Sequence, residues 1–222
     1  MKVATGSVVA ALLAVLLLAS ALGTAGAEEV PRITFSKSFP GSQPAFFLIT
    51  VERTGVSSYN ESQDPDNAEK LQLEPSAASE IFQMADRLDR FSKPLESGLK
   101  VANMGLKTFR FEDGAVKHEV KFNYSQDPDA QALLDWFERI SSTEQHYIDL
   151  DRAVHFDKLG VNQSLLLLQV TWEHKRLIAP QQFLPLLDRV IKNESFLHMA
   201  RERAATLADA FRNIKSAQVQ TP

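Results

Sequence analysis

Between Ala45 and Glu52 the chain alternates strictly, with Ala45, Phe47, Ile49 and Val51 on one side and Phe46, Leu48, Thr50 and Glu52 on the other. A period of two predicts a strand with one buried face. Arg53-Thr54-Gly55 suits a three-residue hairpin loop, with Gly55 in the left-handed position, and that register sets Tyr59 opposite Ile49. A two-residue turn would put Asn60 there instead, so burial favours the longer loop. Lys70 to Glu74 predicts a short third strand, stopped by Pro75. Proline suits the first turn of a helix, and Ile81, Met84, Ala85, Leu88 and Phe91 follow at the three-and-four spacing of a buried helical face. From Thr108 to Tyr124 the period returns to two, with Phe109, Phe111, Val116, Val120 and Phe122 on one side of a turn at Asp113-Gly114. That turn sets His118 opposite Phe109. Asp127-Pro128-Asp129 then caps a helix, the first acid accepting orphan amides and the second facing the positive end of the dipole.

Beyond Pro128 the pattern changes. Ile140, Tyr147, Val154, Val161 and Leu168 recur every seven residues, with Trp136, Leu150, Lys158, Leu165 and Trp172 near the companion positions. This predicts a long helix with a coiled-coil-like seam, bent or broken at Gly160. Ala179-Pro180 interrupts it, because the residue before a proline is pushed out of the helical region. Phe183, Val190, Leu197, Ala204 and Phe211 repeat the spacing. The expected fold is α+β: a small antiparallel sheet with packed helices in the order β-β-β-α-β-β-α, then a long C-terminal helical hairpin turning near Pro180 and Pro185. The expected boundaries are 28–140 for the α+β part, 141–215 for the hairpin and 216–222 for a disordered tail. "SQDPD" occurs at Ser62 and again at Ser125, each time after a hairpin, either as a duplicated unit or as a repeated cap.

Residues 1–27 read as an export signal: Lys2, an apolar run from Val8 to Leu22, and a small-residue end at Ala25-Gly26-Ala27. That run is shorter than the roughly 20 apolar residues of a spanning helix, and no later stretch reaches that length. The expectation is a secreted or periplasmic protein with no integral span after cleavage. With no cysteine in 222 residues, there is neither a disulfide framework nor a thiol to be lipid-modified. An exported chain without cysteine fits a bacterial envelope, although the Asn-x-Ser sequons at Asn60, Asn123, Asn162 and Asn193 point the other way. The net charge of −4, with no basic stripe, excludes a phosphate-tracking nucleic-acid binder.

No serine stands in a Gly-x-Ser-x-Gly elbow, and Gly98 and Gly105 lack the spacing and the following Lys-Ser or Lys-Thr of a phosphate loop. His146 and His155, nine apart on a helix, point to nearly opposite faces, which argues against a zinc site. Asp64-x-Asp66 starts like a calcium loop but lacks the later oxygen ligands and the glycine. No catalytic residue, cofactor or metal site is therefore expected. His118, Trp136 and Trp172 read as core or core-margin residues. The segment Ser92–Lys107 is long, and loops of that length are often functional. Its Leu95, Leu99, Val101 and Met104 either present a partner surface or fold over the end of the sheet. Together with Phe39 and Phe46, these are the candidate partner-binding residues.

The stretch "FPGSQPAFFLITVERTGVSSY" resembles the start of an uncharacterised exported bacterial domain of the type Cys-x-Gly-x-Cys-Pro-x-Tyr, with Gly41, Pro44, Phe46, Gly55 and Tyr59 at matching places. The resemblance runs over about residues 33–140 and implies the α+β fold, with no known activity. Phe39 and Gln43 stand where the two cysteines would be, so thiol chemistry does not carry over. The expected function is a non-enzymatic protein-interaction or envelope structural module with a protein partner. The alternatives are a hydrolase with an unrecognised carboxylate site and a homodimer paired through the helical seam.

Overall fold

The computed structural model describes residues 30–62 and 64–218; the expected export signal and residues 219–222 lie outside the described residues. Six strands form one antiparallel sheet: β1 (Arg32–Ser38), β2 (Phe46–Glu52), β3 (Val56–Asn60), β4 (Glu69–Gln72), β5 (Leu106–Asp113) and β6 (Val116–Phe122). Among the described residues five α-helices accompany them: α1 (Pro75–Arg87), α2 (Pro128–Phe156), α3 (Val161–Glu173), α4 (Leu184–Lys192) and α5 (His198–Gln218). The α+β expectation holds.

Three local expectations hold as well. Ile49 pairs with Tyr59 across a three-residue loop, and Gly55 has φ +86°. Asp127 caps α2, its Oδ1 accepting from the amides of Asp129 at 2.8 Å and Ala130 at 3.1 Å. Asp64, in the other "SQDPD", accepts from the Asp66 amide and caps a single 3-10 turn at Pro65–Asn67. The two copies share a capping job, but one opens a helix of 29 residues and the other a turn of three.

Several expectations need correction. The order β-β-β-α-β-β-α misses β1, which lies at the middle of the sheet order β4-β3-β2-β1-β5-β6. Its Ile33 and Phe35 are fully buried while Arg32, Thr34 and Ser36 face outward. Residues 39–45 therefore form a loop joining β1 to β2, not the lead-in to a first strand. In the β5–β6 hairpin the turn lies at Gly114-Ala115, Phe111 pairs with His118, and Phe109 pairs with Val120. The shift of two residues keeps every side chain on its expected face, but it leaves Val116 beside the turn, 40% exposed. The helical half comprises α3, α4 and α5 packed with the second half of α2, so two helices do not suffice. The breaks fall at Asp157–Gly160 and at Pro180–Phe183, with a third before His198. α5 continues to Gln218, beyond the expected start of the tail at 216.

Two hydrophobic clusters result. Phe35, at the sheet centre, stacks on Phe137 of α2 at 4.9 Å and touches Phe109 at 5.4 Å, and these rings anchor the cluster between the sheet's inner face, α1 and the first half of α2. The second cluster joins Leu150 and Val154 of α2 to Leu165, Phe183, Leu187, Ala204 and Phe211. α2 contributes to both. The seam positions Ile140, Val154, Val161 and Leu168 are buried within the chain.

Candidate functional site

The six expected contact residues separate into three groups. Leu95 is 9% exposed and belongs to the sheet cluster, so it is core and is withdrawn as a contact residue. Leu99, Val101 and Met104 are exposed, as is Leu106 at the start of β5. Phe39 and Phe46 are half-buried. Ser38 lies between Phe46 and Leu106 in the sheet register, and Phe39 packs so closely on Gly105 that a Cβ there would lie 2.8 Å from that of Phe39. The structure thus gathers Phe39, Phe46, Met104 and Leu106 at one end of the sheet.

The loop carrying Leu99, Val101 and Met104 has no regular secondary structure, yet its backbone is pinned. Asn123 accepts from the Met104 amide at 2.7 Å and donates to the Ala102 carbonyl at 3.0 Å. Glu96 accepts from the Asn123 amide at 2.6 Å, which holds its carboxyl below the usual range. Lys107, only 3% exposed, aims its ammonium at the carbonyls of Met104, Gly105 and Asn123, the last at 2.7 Å. Burial lowers its pKa, and three carbonyl acceptors take the place of water around it. Polar groups hold this loop from beneath while its apolar side chains face out.

A second feature lies along α2. Four clefts adjoin one another there, of about 170, 200, 410 and 320 Å³ in order from Met104 to Glu69. Lys37 and Glu138 are common to the first two, Gln43, Pro44 and Gln145 to the next, and Glu61 and Ile148 to the last. The loop at 39–45 forms part of the far wall, held by Ser42, whose hydroxyl reaches the carbonyls of Phe39 and Pro44, each at 2.7 Å. Nothing in the seven-residue spacing flagged this face, because the expected seam lies elsewhere on the same helix.

The most perturbed carboxyl is Glu144 of α2. It is 1% exposed, accepts from Gln182 Nε2 at 2.9 Å through Oε1, and leaves Oε2 without a partner. Burial, with a smaller push from Glu69, drives its pKa up to about 7. That acidity would suit a general acid. The carboxyl, however, lines none of the four clefts and faces Gln182 in the Pro180–Phe183 turn. Tyr59 is also raised by burial, its hydroxyl donating to Glu61 at 2.9 Å. His146 bonds Thr171 of α3 at 2.8 Å, and burial lowers its pKa. Among the described residues no group of three or more His, Cys, Asp or Glu is placed to hold a metal ion, and no helix is long and apolar enough to cross a membrane. Compared with known proteins, the chain matches no family model and no curated sequence significantly.

Proposed function

We propose that this protein is an exported, non-enzymatic module that binds a protein partner through the apolar end of its sheet. The observation that carries the reading is the pinned loop: Leu99 and Met104 stand about half exposed, at 50% and 48%, the backbone at Met104 fixed by Asn123 and Lys107, and the Leu99 amide donating to Ser97 Oγ at 3.2 Å while the Ser97 amide donates to the Tyr124 carbonyl at 2.8 Å. A half-exposed apolar side chain held out in water by an ordered backbone forgoes about half of the roughly 1.5–3 kcal/mol of full burial, which a partner's surface recovers. Leu106 and the half-buried Phe39 and Phe46 widen the patch. Export rests on the N-terminal signal read from residues 1–27, and a bacterial envelope on its pairing with a chain that has no cysteine.

The test is capture from a bacterial envelope extract with the mature chain, run beside L99D/M104D. The double variant is expected to keep the parent's melting temperature and lose the captured partner. L95D, by contrast, is expected to destabilise the fold severely, since its carboxylate enters the sheet cluster. If L99D/M104D captures the same partner as the parent, the patch is not the binding surface.

A further inference from the structure

We infer that the groove along α2, which meets the apolar patch at Met104, is a second binding site, for an extended polypeptide segment of about nine residues. Gln131, Glu138, Gln145 and Arg152 lie seven apart on α2, and Leu134, Ser141 and Ile148 repeat that spacing beside them. Every one of these residues lines at least one of the four clefts. Residues seven apart stay on one helical face, and at 1.5 Å per residue the stripe is about 30 Å long. An extended chain at about 3.3 Å per residue covers that length in about nine residues.

The chemistry of the walls selects the occupant. Gln43 and Ser142 make no side-chain hydrogen bond to another described residue, and Gln145 makes only two long ones, both 3.4 Å, to Tyr59 and Ser141. Free amides and hydroxyls in a cleft match a ligand with unpaired N–H and C=O groups, which an extended peptide has and a helix does not. Sugars are held by ring stacking, but the rings of Phe47, in the middle of the groove, and Tyr59, at its Glu69 end, are 6% and 1% exposed. Only Tyr124, at the Met104 end, is partly open. Lys37 faces Glu138 at 3.6 Å and Arg152 faces Asp149 at 3.6 Å, so those charges offset one another. Glu61 and Glu69, at the other end, form no ion pair with a described residue. The bound segment therefore carries a basic side chain toward Glu61 and Glu69.

The probe is a pair of fluorescein-labelled nonapeptides of alternating Ser and Ala, each with one Lys at one end or the other, followed by fluorescence polarisation. Binding is expected, with one Lys position preferred and that preference erased by E61Q/E69Q. Q145W fills the middle of the groove and is expected to weaken binding at least tenfold with the circular dichroism spectrum unchanged. S142R serves the same purpose if Q145W does not fold. No binding of either peptide, equal binding by Q145W and S142R, or preferential displacement by cellohexaose overturns the proposal. L99D is expected to bind the peptides as the parent does, so failure of this site is distinguishable from failure of the apolar patch.

Discussion

Glu144 and Glu112 give stability opposite dependences on pH. The folded-state pKa of Glu144, about 7, lies above the usual 4.5, so the native state holds a proton that the unfolded chain releases. Its contribution is fully present below about pH 4.5 and is lost as pH rises through 7, on the order of 3 kcal/mol in all. Glu112 is the reverse case. Arg32 at 2.6 Å and Arg110 at 2.8 Å hold its carboxyl below the usual range, so its contribution is present above pH 4.5 and is lost as pH falls through the lowered value. E144Q keeps the shape and an oxygen for Gln182. Urea unfolding at pH 5.5 and pH 8.5 is expected to show the parent losing stability at the higher pH and E144Q losing much less. If the two proteins change equally between those pH values, Glu144 is not the group responsible.

At the scale of elements, glycines separate tight junctions from open turns. At Gly55 a Cβ would lie 2.6 Å from the Leu73 carbonyl oxygen, and φ is +86°; the Leu73 amide donates to the Gly55 carbonyl at 2.9 Å. The β2–β3 loop and the end of β4 are therefore in main-chain contact, and G55A is expected to cost at least about 2 kcal/mol. Gly114 has φ +54° with nothing near a Cβ, so G114A is expected to cost only the left-handed penalty, about 1 kcal/mol. Thermal melts of the two variants check the order. Gly55, Pro75 and Asp127 could be read from the chain because turn and cap chemistry is local. β1 could not, although Ile33 and Phe35 alternate: its burying face carries only those two large apolar residues before Lys37, and the Pro-Gly turn follows at once. The β5–β6 turn slipped because a glycine satisfies the first central position of a hairpin turn as well as the second, and both registers bury the same faces. The groove along α2 was invisible because Lys37, Ser42–Pro44, Tyr59–Ser62 and Glu69 form its far side, and no spacing along a helix reports what stands opposite it.

For the whole molecule, the two clusters meet in α2, which places Ile140 in the sheet cluster and Leu150 in the helical one within a single uninterrupted helix. Ile178 ties them again: it packs in the sheet cluster, and its amide donates to Thr143 of α2 at 3.0 Å, while the adjacent Leu177 packs in the helical cluster. Separating the clusters would fray α2 in mid-helix, exposing unpaired amides and carbonyls, as well as the orphan Oε2 of Glu144. That cost favours one cooperative transition over two. The two tryptophans supply independent reporters, Trp136 packing on the sheet cluster and Trp172 on the helical one, against Phe211 at 5.2 Å. In W136F the fluorescence reports the helical cluster alone, and in W172F the sheet cluster alone. After correction for each variant's own stability by circular dichroism, the fluorescence and dichroism curves are expected to coincide within each protein. A fluorescence midpoint displaced from the dichroism midpoint in either variant would show that α2 unfolds in two steps and that its two halves serve separate folding units.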